Sequence, residues 1–217
     1  MNFEQARSNM IEQQIRTWEV LDQRVLDLLA SVPREDFVPS RYRSLAFSDT
    51  GIPLGFGEVM MAPKVEARML QVLAVESGDR ILEIGTGSGY VTALLARSGR
   101  EVTTIEIHPE LSAGAKIRVS QQGLNNVRFE VGNGLERPAA EGGYDVIAVT
   151  GSLPVHSDRF ERRLAIGGRV FLIVGQAPVM DAMLVRRVGA RAFAREGLFE
   201  TDLPPLRGAP TPKRFVF

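Results

Sequence analysis

The stretch from Arg80 to Ala96, RILEIGTGSGYVTALLA, restricts what this chain can fold into more than any other. A short apolar run closes on Glu83, passes through glycines at 85, 87 and 89, and re-emerges with helical spacing. That order reads as strand, tight turn and helix N-terminus. Backbone without side chains can approach a ligand closely, so the turn reads as a small-molecule seat.

The glycine spacing narrows the ligand. Dinucleotide seats use Gly-x-Gly-x-x-Gly, whereas here position 90 is Tyr and the third glycine comes one residue early. Nicotinamide and flavin are therefore disfavoured. No Gly-Lys-Ser/Thr follows the turn, which disfavours a phosphate-cradling Walker loop as well. What remains is Glu-x-Gly-x-Gly-x-Gly, with Glu83 expected at the strand tip, where it can meet a cationic group. S-adenosylmethionine, carrying an ammonium and a sulfonium, fits. Arg100 to Ile107 reads as the next strand, and Glu106 ends it about 20 residues beyond the turn, where an acid commonly takes ribose hydroxyls.

Composition removes other chemistries. The chain has 217 residues, enough for one domain with a sizeable core. Its 26 basic and 26 acidic residues cancel, and no basic, aromatic-interleaved stripe occurs, so no nucleic-acid partner is expected. Cysteine is absent and the only histidines, His108 and His156, lie far apart, so neither thiolate catalysis nor a metal site is expected. The N-terminus lacks an apolar signal core and no run spans a bilayer, which predicts a cytoplasmic protein without a membrane partner.

Before the turn, Leu21, Val25, Leu28 and Leu29 predict a one-faced helix that Asp22 caps and Pro33 stops. Asp49 to Glu58, with three glycines and a proline, reads as a loop positioned to act as a lid or substrate loop. Pro63 opens a helix carrying Val65, Met69, Val72 and Leu73 on one face. After Glu106, a helix from Pro109 to Gly123 leads to a strand at Val127–Val131, and Gly132-Asn133-Gly134 follows as a turn over the same crevice, assigned to adenine. Tyr144–Val149 and Arg169–Val174 read as further strands, with a helix near Asp158–Leu164 between them and an antiparallel pair around Gly189 beyond. The prolines at 204, 205, 210 and 212 make the tail extended.

These residues resemble the protein-L-isoaspartate O-methyltransferase family over nearly the whole chain. The strongest matches are Val32–Pro39 (VPREDFVP), Ile52–Gly57 (IPLGFG), Leu82–Tyr90 (LEIGTGSGY) and the Gly167-Gly168 turn. The resemblance implies an α/β, doubly wound, Rossmann-like methyltransferase fold. Its seven-stranded sheet is expected to carry helices on both faces and an antiparallel last strand. One methyltransferase domain over 1–217 is expected, with 1–62 as N-terminal helical extension and substrate loop and 63–217 as cofactor-binding core and C-terminal strands. It also implies S-adenosylmethionine as methyl donor, without a metal, and methylation of isoaspartyl carboxylates in damaged proteins as the first step of repair. The cofactor residues expected are Glu83, Gly85, Thr86, Gly87, Ser88 and Gly89 around the methionine half, Glu106 on ribose with Ile107 beside it, and Asn133 and Gly134 near adenine.

One departure is large. The family's substrate loop usually reads Gly-Gln-Thr-Ile-Ser-Gln-Pro, and its serine hydrogen-bonds the reactive carboxylate. The aligned stretch here is Gly57-Glu58-Val59-Met60-Met61-Ala62-Pro63, so Met61 stands at the serine and no catalytic residue is assigned. Glu58 also brings a carboxylate toward an anionic substrate, which should repel it. Two alternatives stay open at this point: a family member redirected to a more apolar acceptor, and a non-catalytic S-adenosylmethionine-binding protein.

Overall fold

Runs such as Ile81-Leu82 and Val146-Ile147-Ala148-Val149 show no polar alternation, the mark of strands covered on both faces. The computed structural model, which describes residues 2–138 and 140–212, buries these runs completely at the centre of a sheet. Strands β1 (Ile52–Gly55) and β2 (Glu58–Met60) form a separate antiparallel hairpin. The main sheet comprises β3 (Arg80–Ile84), β4 (Glu101–Glu106), β5 (Val127–Val131), β6 (Tyr144–Leu153), β7 (Leu164–Gln176), β8 (Val179–Arg187) and β9 (Phe193–Thr201). Its order is β5-β4-β3-β6-β7-β8-β9. The first five strands are parallel and β8 runs against β7. Because β9 pairs antiparallel with β8, it returns to the common direction. The reversed strand is thus the penultimate one, not the last. From β3 the chain winds outward to β4 and β5, then crosses back to β6, so the topological switch lies at the carboxyl ends of β3 and β6.

The helices are α1 (Phe3–Met10), α2 (Gln23–Ser31), α3 (Pro63–Leu73), α4 (Tyr90–Ser98) and α5 (Pro109–Gln121). Buried residues of all of them join one apolar cluster with Ile81, Val146, Ala148 and Phe171. Alternate strand residues, among them Leu82, Ile84, Ile147 and Val149, point to the opposite face. There Leu135 and Phe160 supply the cover from the connections beside β6. The helix expected near Asp158–Leu164 is only a 3₁₀ turn, Glu161–Arg163. Buried Glu161 accepts from His156 at 2.8 Å and Arg195 at 2.7 Å, which draws the segment onto the sheet instead of letting it continue as a helix. The expected second helical layer is therefore irregular.

Other local signals acted as their chemistry requires. Asp22 caps α2 by accepting from the Arg24 N–H at 2.9 Å, and Pro63 opens α3. Leu21 is 70% exposed and lies ahead of that cap, so the buried stripe of α2 is Val25, Leu26 and Leu29. The segment expected as a loop is the β1–β2 hairpin, which pairs buried Ile52 with buried Met60 and turns through Gly55, Phe56 and Gly57, all at positive φ.

Phe171 is fully buried in β7 against the helical layer. Phe171→Ala should cost about 3–5 kcal/mol, as large aromatic truncations in cores do. Urea denaturation measures this, and a loss below about 1 kcal/mol would contradict the described core.

Candidate functional site

The turn after β3 is shaped by how closely neighbouring residues approach it. Gly85 has φ 97°, and a side chain there would run into the Thr150 hydroxyl. Gly89 has φ 86° and caps α4, where an added Cβ would lie 2.9 Å from Ala115 of α5. Only glycine meets both demands. The Arg118 guanidinium donates to the Ser88 carbonyl at 2.9 Å and anchors the turn from α5.

Glu106 closes the turn from the neighbouring strand. One carboxylate oxygen accepts from the Gly87 N–H at 2.8 Å and the other from the His108 N–H at 3.0 Å. Each oxygen keeps lone-pair capacity for a further donor. Together with Gly85, Gly87, Ile107, Gly132, Asn133, Gly134 and Leu135, it lines an open crevice at the topological switch, where open α/β sheets seat their ligands. Asn133 accepts from the Leu135 N–H at 3.0 Å and donates to Glu136 at 2.9 Å, so its amide is largely committed to its own turn. Buried Arg163 fixes that turn by donating to the Gly134 carbonyl at 2.7 Å and the Leu135 carbonyl at 2.9 Å. Along the far rim, Ser152 donates to the Leu203 carbonyl at 2.6 Å, which lays the extended tail through Arg207 beside the crevice.

Glu83 does not reach this crevice. It shares strand parity with Ile81 and therefore points under the turn toward α4, while Ile84 faces the cavity. Its Oε2 accepts from Thr92 at 2.5 Å and Thr104 at 2.6 Å, and Thr86 bonds Thr104 at 2.6 Å. Oε1 is buried without a partner among the described residues. Burial pushes this carboxyl up to about 8; the two threonine hydroxyls oppose the shift, and nearby Glu106 and Glu66 add to it. The expectation that Glu83 meets a cation at the strand tip is corrected: it supports the turn from beneath.

The substrate segment forms one wall. Glu58 accepts from the Arg207 guanidinium at 2.9 Å and lies 3.3 Å from His108 Nε2, while Phe56 stacks on the His108 ring at 4.6 Å. Arg207 also donates to the Phe56 carbonyl. The carboxylate expected to repel an anion is thus neutralised by a guanidinium at the crevice rim. Met60 and Met61 are buried in the core and also wall a small inner recess, with Gly57 and Val59 outside it. The recess is further lined by Glu66, Thr86, Ser88, Val91 and Thr150, and it shares Gly85, Gly87 and Thr150 with the crevice. The Ser88 oxygen accepts from the Tyr90 N–H at 3.2 Å, which leaves its hydroxyl proton free to donate.

Behind the recess lies a buried ion pair. Arg34, fully buried, donates to Glu66, to the Ala46 carbonyl at 2.8 Å and to the Met61 carbonyl at 2.7 Å. It joins the N-terminal segment, the hairpin and α3. Sequence reading singled out neither Glu66 nor the anchoring Arg118, Arg163 and Arg207. A charged side chain ordinarily reads as solvent-facing, and the signal that could have found Glu66 is its place beside Val65, Met69 and Leu73 on the apolar face of α3.

Comparison with known proteins agrees with this geometry. Residues 5–200 match the family described as protein-L-isoaspartate(D-aspartate) O-methyltransferase. A protein-L-isoaspartate O-methyltransferase of Koribacter versatilis is 37% identical over 206 residues, covering 95% of this chain and 92% of its own. One from Anaeromyxobacter dehalogenans is 40% identical over 193 residues, covering 88% and 90%. In fold, a Plasmodium falciparum protein of that description, solved with S-adenosyl-L-homocysteine, superposes with a TM-score of 0.80 at 18% identity, covering 95% of this chain and 99% of its own. By sequence over nearly its whole length, the chain belongs to the protein-L-isoaspartate O-methyltransferase family.

Proposed function

We propose that this protein transfers the methyl group of S-adenosylmethionine to the carboxylate of isoaspartyl residues in damaged proteins. The family match over residues 5–200, which includes the glycine turn, the hairpin and Glu106, carries this reading. The redirected and non-catalytic alternatives have no comparable support. The chain works as one domain, 1–62 supplying the helical extension and hairpin and 63–217 the core, and we place it in the cytoplasm.

The crevice fits the donor on its own chemistry. The bare backbone of Gly85 and Gly87 admits the methionine half, with Thr86, Ser88 and Gly89 completing the turn. Glu106 offers acceptor capacity to ribose hydroxyls, and Ile107 and Leu135 offer apolar faces beside Asn133 and Gly134 for adenine. When bound, S-adenosylmethionine supplies an electrophilic methyl on a sulfonium. Glu83 is a positioning residue, acting through Thr104 and Thr86.

An acceptor carboxylate, with an ordinary pKa of about 4, is already ionised at neutral pH and needs no general base. Orientation is what the protein supplies. Met61 cannot donate a hydrogen bond, and Ser88 is the free hydroxyl donor nearest in kind on the recess wall. Losing one bond to a charged group costs about 1.5–3 kcal/mol, or roughly 10- to 150-fold in rate. The protein is therefore a slow but selective enzyme.

Methyl transfer from labelled S-adenosylmethionine to an isoaspartyl peptide, with its aspartyl twin as control, tests this. Selective labelling of the isoaspartyl peptide is expected, and Met61→Ser should raise kcat/KM by about tenfold or more. Equal labelling of both peptides, or none by either protein while S-adenosylhomocysteine still binds, contradicts the proposal. Glu106→Ala should weaken S-adenosylmethionine binding about 10- to 150-fold by calorimetry. A Kd within about threefold of wild type would remove Glu106 from the site.

The support under the turn has its own pH signature. Glu83 titrates near its ordinary value of about 4.3 when unfolded and at about 8 when folded. Between those values the folded state holds the extra proton, so this group's contribution is full below about 4.3 and is lost as pH rises through 8. Glu83→Gln should therefore melt higher than wild type above pH 8, with the gain shrinking as pH falls. A pH-independent difference in Tm argues against a neutral buried acid there.

A further inference from the structure

We propose that Glu66 determines acceptor recognition: as the neutral acid it donates a hydrogen bond to an incoming carboxylate, and as the anion it turns that acceptor away. This deepens the isoaspartyl reading above and rests on it.

The geometry sets Glu66 on the recess wall, with the Ser88 hydroxyl as the other donor an acceptor would meet there. The inner recess adjoins the crevice, sharing Gly85, Gly87 and Thr150 with it, and among the described residues Glu66 is its one ionisable lining residue. Met60 and Met61 opposite offer neither charge nor a donor. The nearest cation, Arg34, is fully buried, with three of its N–H groups committed to Ala46, Met61 and Glu66. It balances Glu66 from behind and does not line the recess. Among the described residues only Oε2 of Glu66 is engaged in a hydrogen bond, by Arg34.

The surrounding charges set which form is present. Arg34 favours the anion. Complete burial opposes it, while burial keeps Glu83 on β3 and Tyr90 on α4 in their neutral forms and Arg7 of α1 lies beyond Tyr90. Burial prevails, and the Glu66 carboxyl is pushed up to about 7. An acceptor carboxylate ionises near 4, so the productive pairing of anionic acceptor and neutral Glu66 exists between about 4 and about 7. During transfer an O–CH₃ bond forms and the CH₃–S⁺ bond breaks, giving a methyl ester and a thioether. No proton is released, so Glu66 keeps its own and acts in recognition, not as a general acid.

The test measures kcat and KM for an isoaspartyl peptide at saturating S-adenosylmethionine from about pH 5.5 to about pH 9, for wild type and Glu66→Gln. Wild-type KM should be lowest on the acid side and rise up to about tenfold per pH unit above pH 7, with kcat little changed. KM of Glu66→Gln should be flat, because its amide donates at every pH. If leaving Arg34 without its counter-ion unfolds that variant, the pair Arg34→Met with Glu66→Met, an apolar replacement of similar volume, takes its place and should also be flat. A flat wild-type KM, or a variant KM that rises as wild type does, overturns the inference and leaves the isoaspartyl reading intact. No turnover at any pH, with cofactor still bound, overturns both.

Discussion

The structure depends on one close passage of backbone. Between β3 and α4 the chain must turn within contact of Thr150 on one side and Ala115 on the other, which admits no side chain at 85 or 89. Everything around the turn serves to hold it there: Glu106 bonds the Gly87 N–H, Arg118 the Ser88 carbonyl, and the Glu83–Thr104–Thr86 chain supports it from below. A seat built this way presents backbone to its ligand, which suits a donor molecule carrying both ammonium and carboxylate.

The second organising element is the buried Arg34–Glu66 pair. Buried pairs rarely add stability over apolar packing, because desolvation cancels the attraction. This one connects three separate pieces of chain, so its value is positional: it fixes the Met61 carbonyl and hence the recess wall. It also puts an acid, Glu66, on the wall of that recess. The rim is handled differently. Glu58 is neutralised by Arg207 and touches His108, so the charge that looked hostile to an anion in the sequence is spent on joining the hairpin to the tail.

The parts legible in sequence were those with a local cause. Glycine is demanded by close approach, Asp22 by unsatisfied N–H groups, Pro63 by the start of a helix, and Glu106 by its spacing from the turn. Glu83 reads in sequence as a strand-tip acid facing the ligand, whereas strand parity sends it under the turn with Ile81. The hairpin read as a loop because its turn formers mask a single buried pair, Ile52 with Met60. The second helical layer dissolved because Glu161 is satisfied by His156 and Arg195 from elsewhere in the fold. Arg34, Glu66, Arg118 and Arg163 were illegible for one shared reason. Their burial is created by partners about 30 residues away, and nothing in a local window marks a charge that will be taken out of water.

The central claim is that crevice and recess form one continuous path from methyl donor to acceptor. A crystal structure with S-adenosylhomocysteine bound measures it directly. Adenine is expected beside Asn133 and Gly134, ribose hydroxyls on Glu106, and the sulfur facing the recess between Met61 and Glu66. A ligand whose sulfur points away from Met61 and Glu66, or that binds outside the Gly85–Gly89 turn, contradicts it.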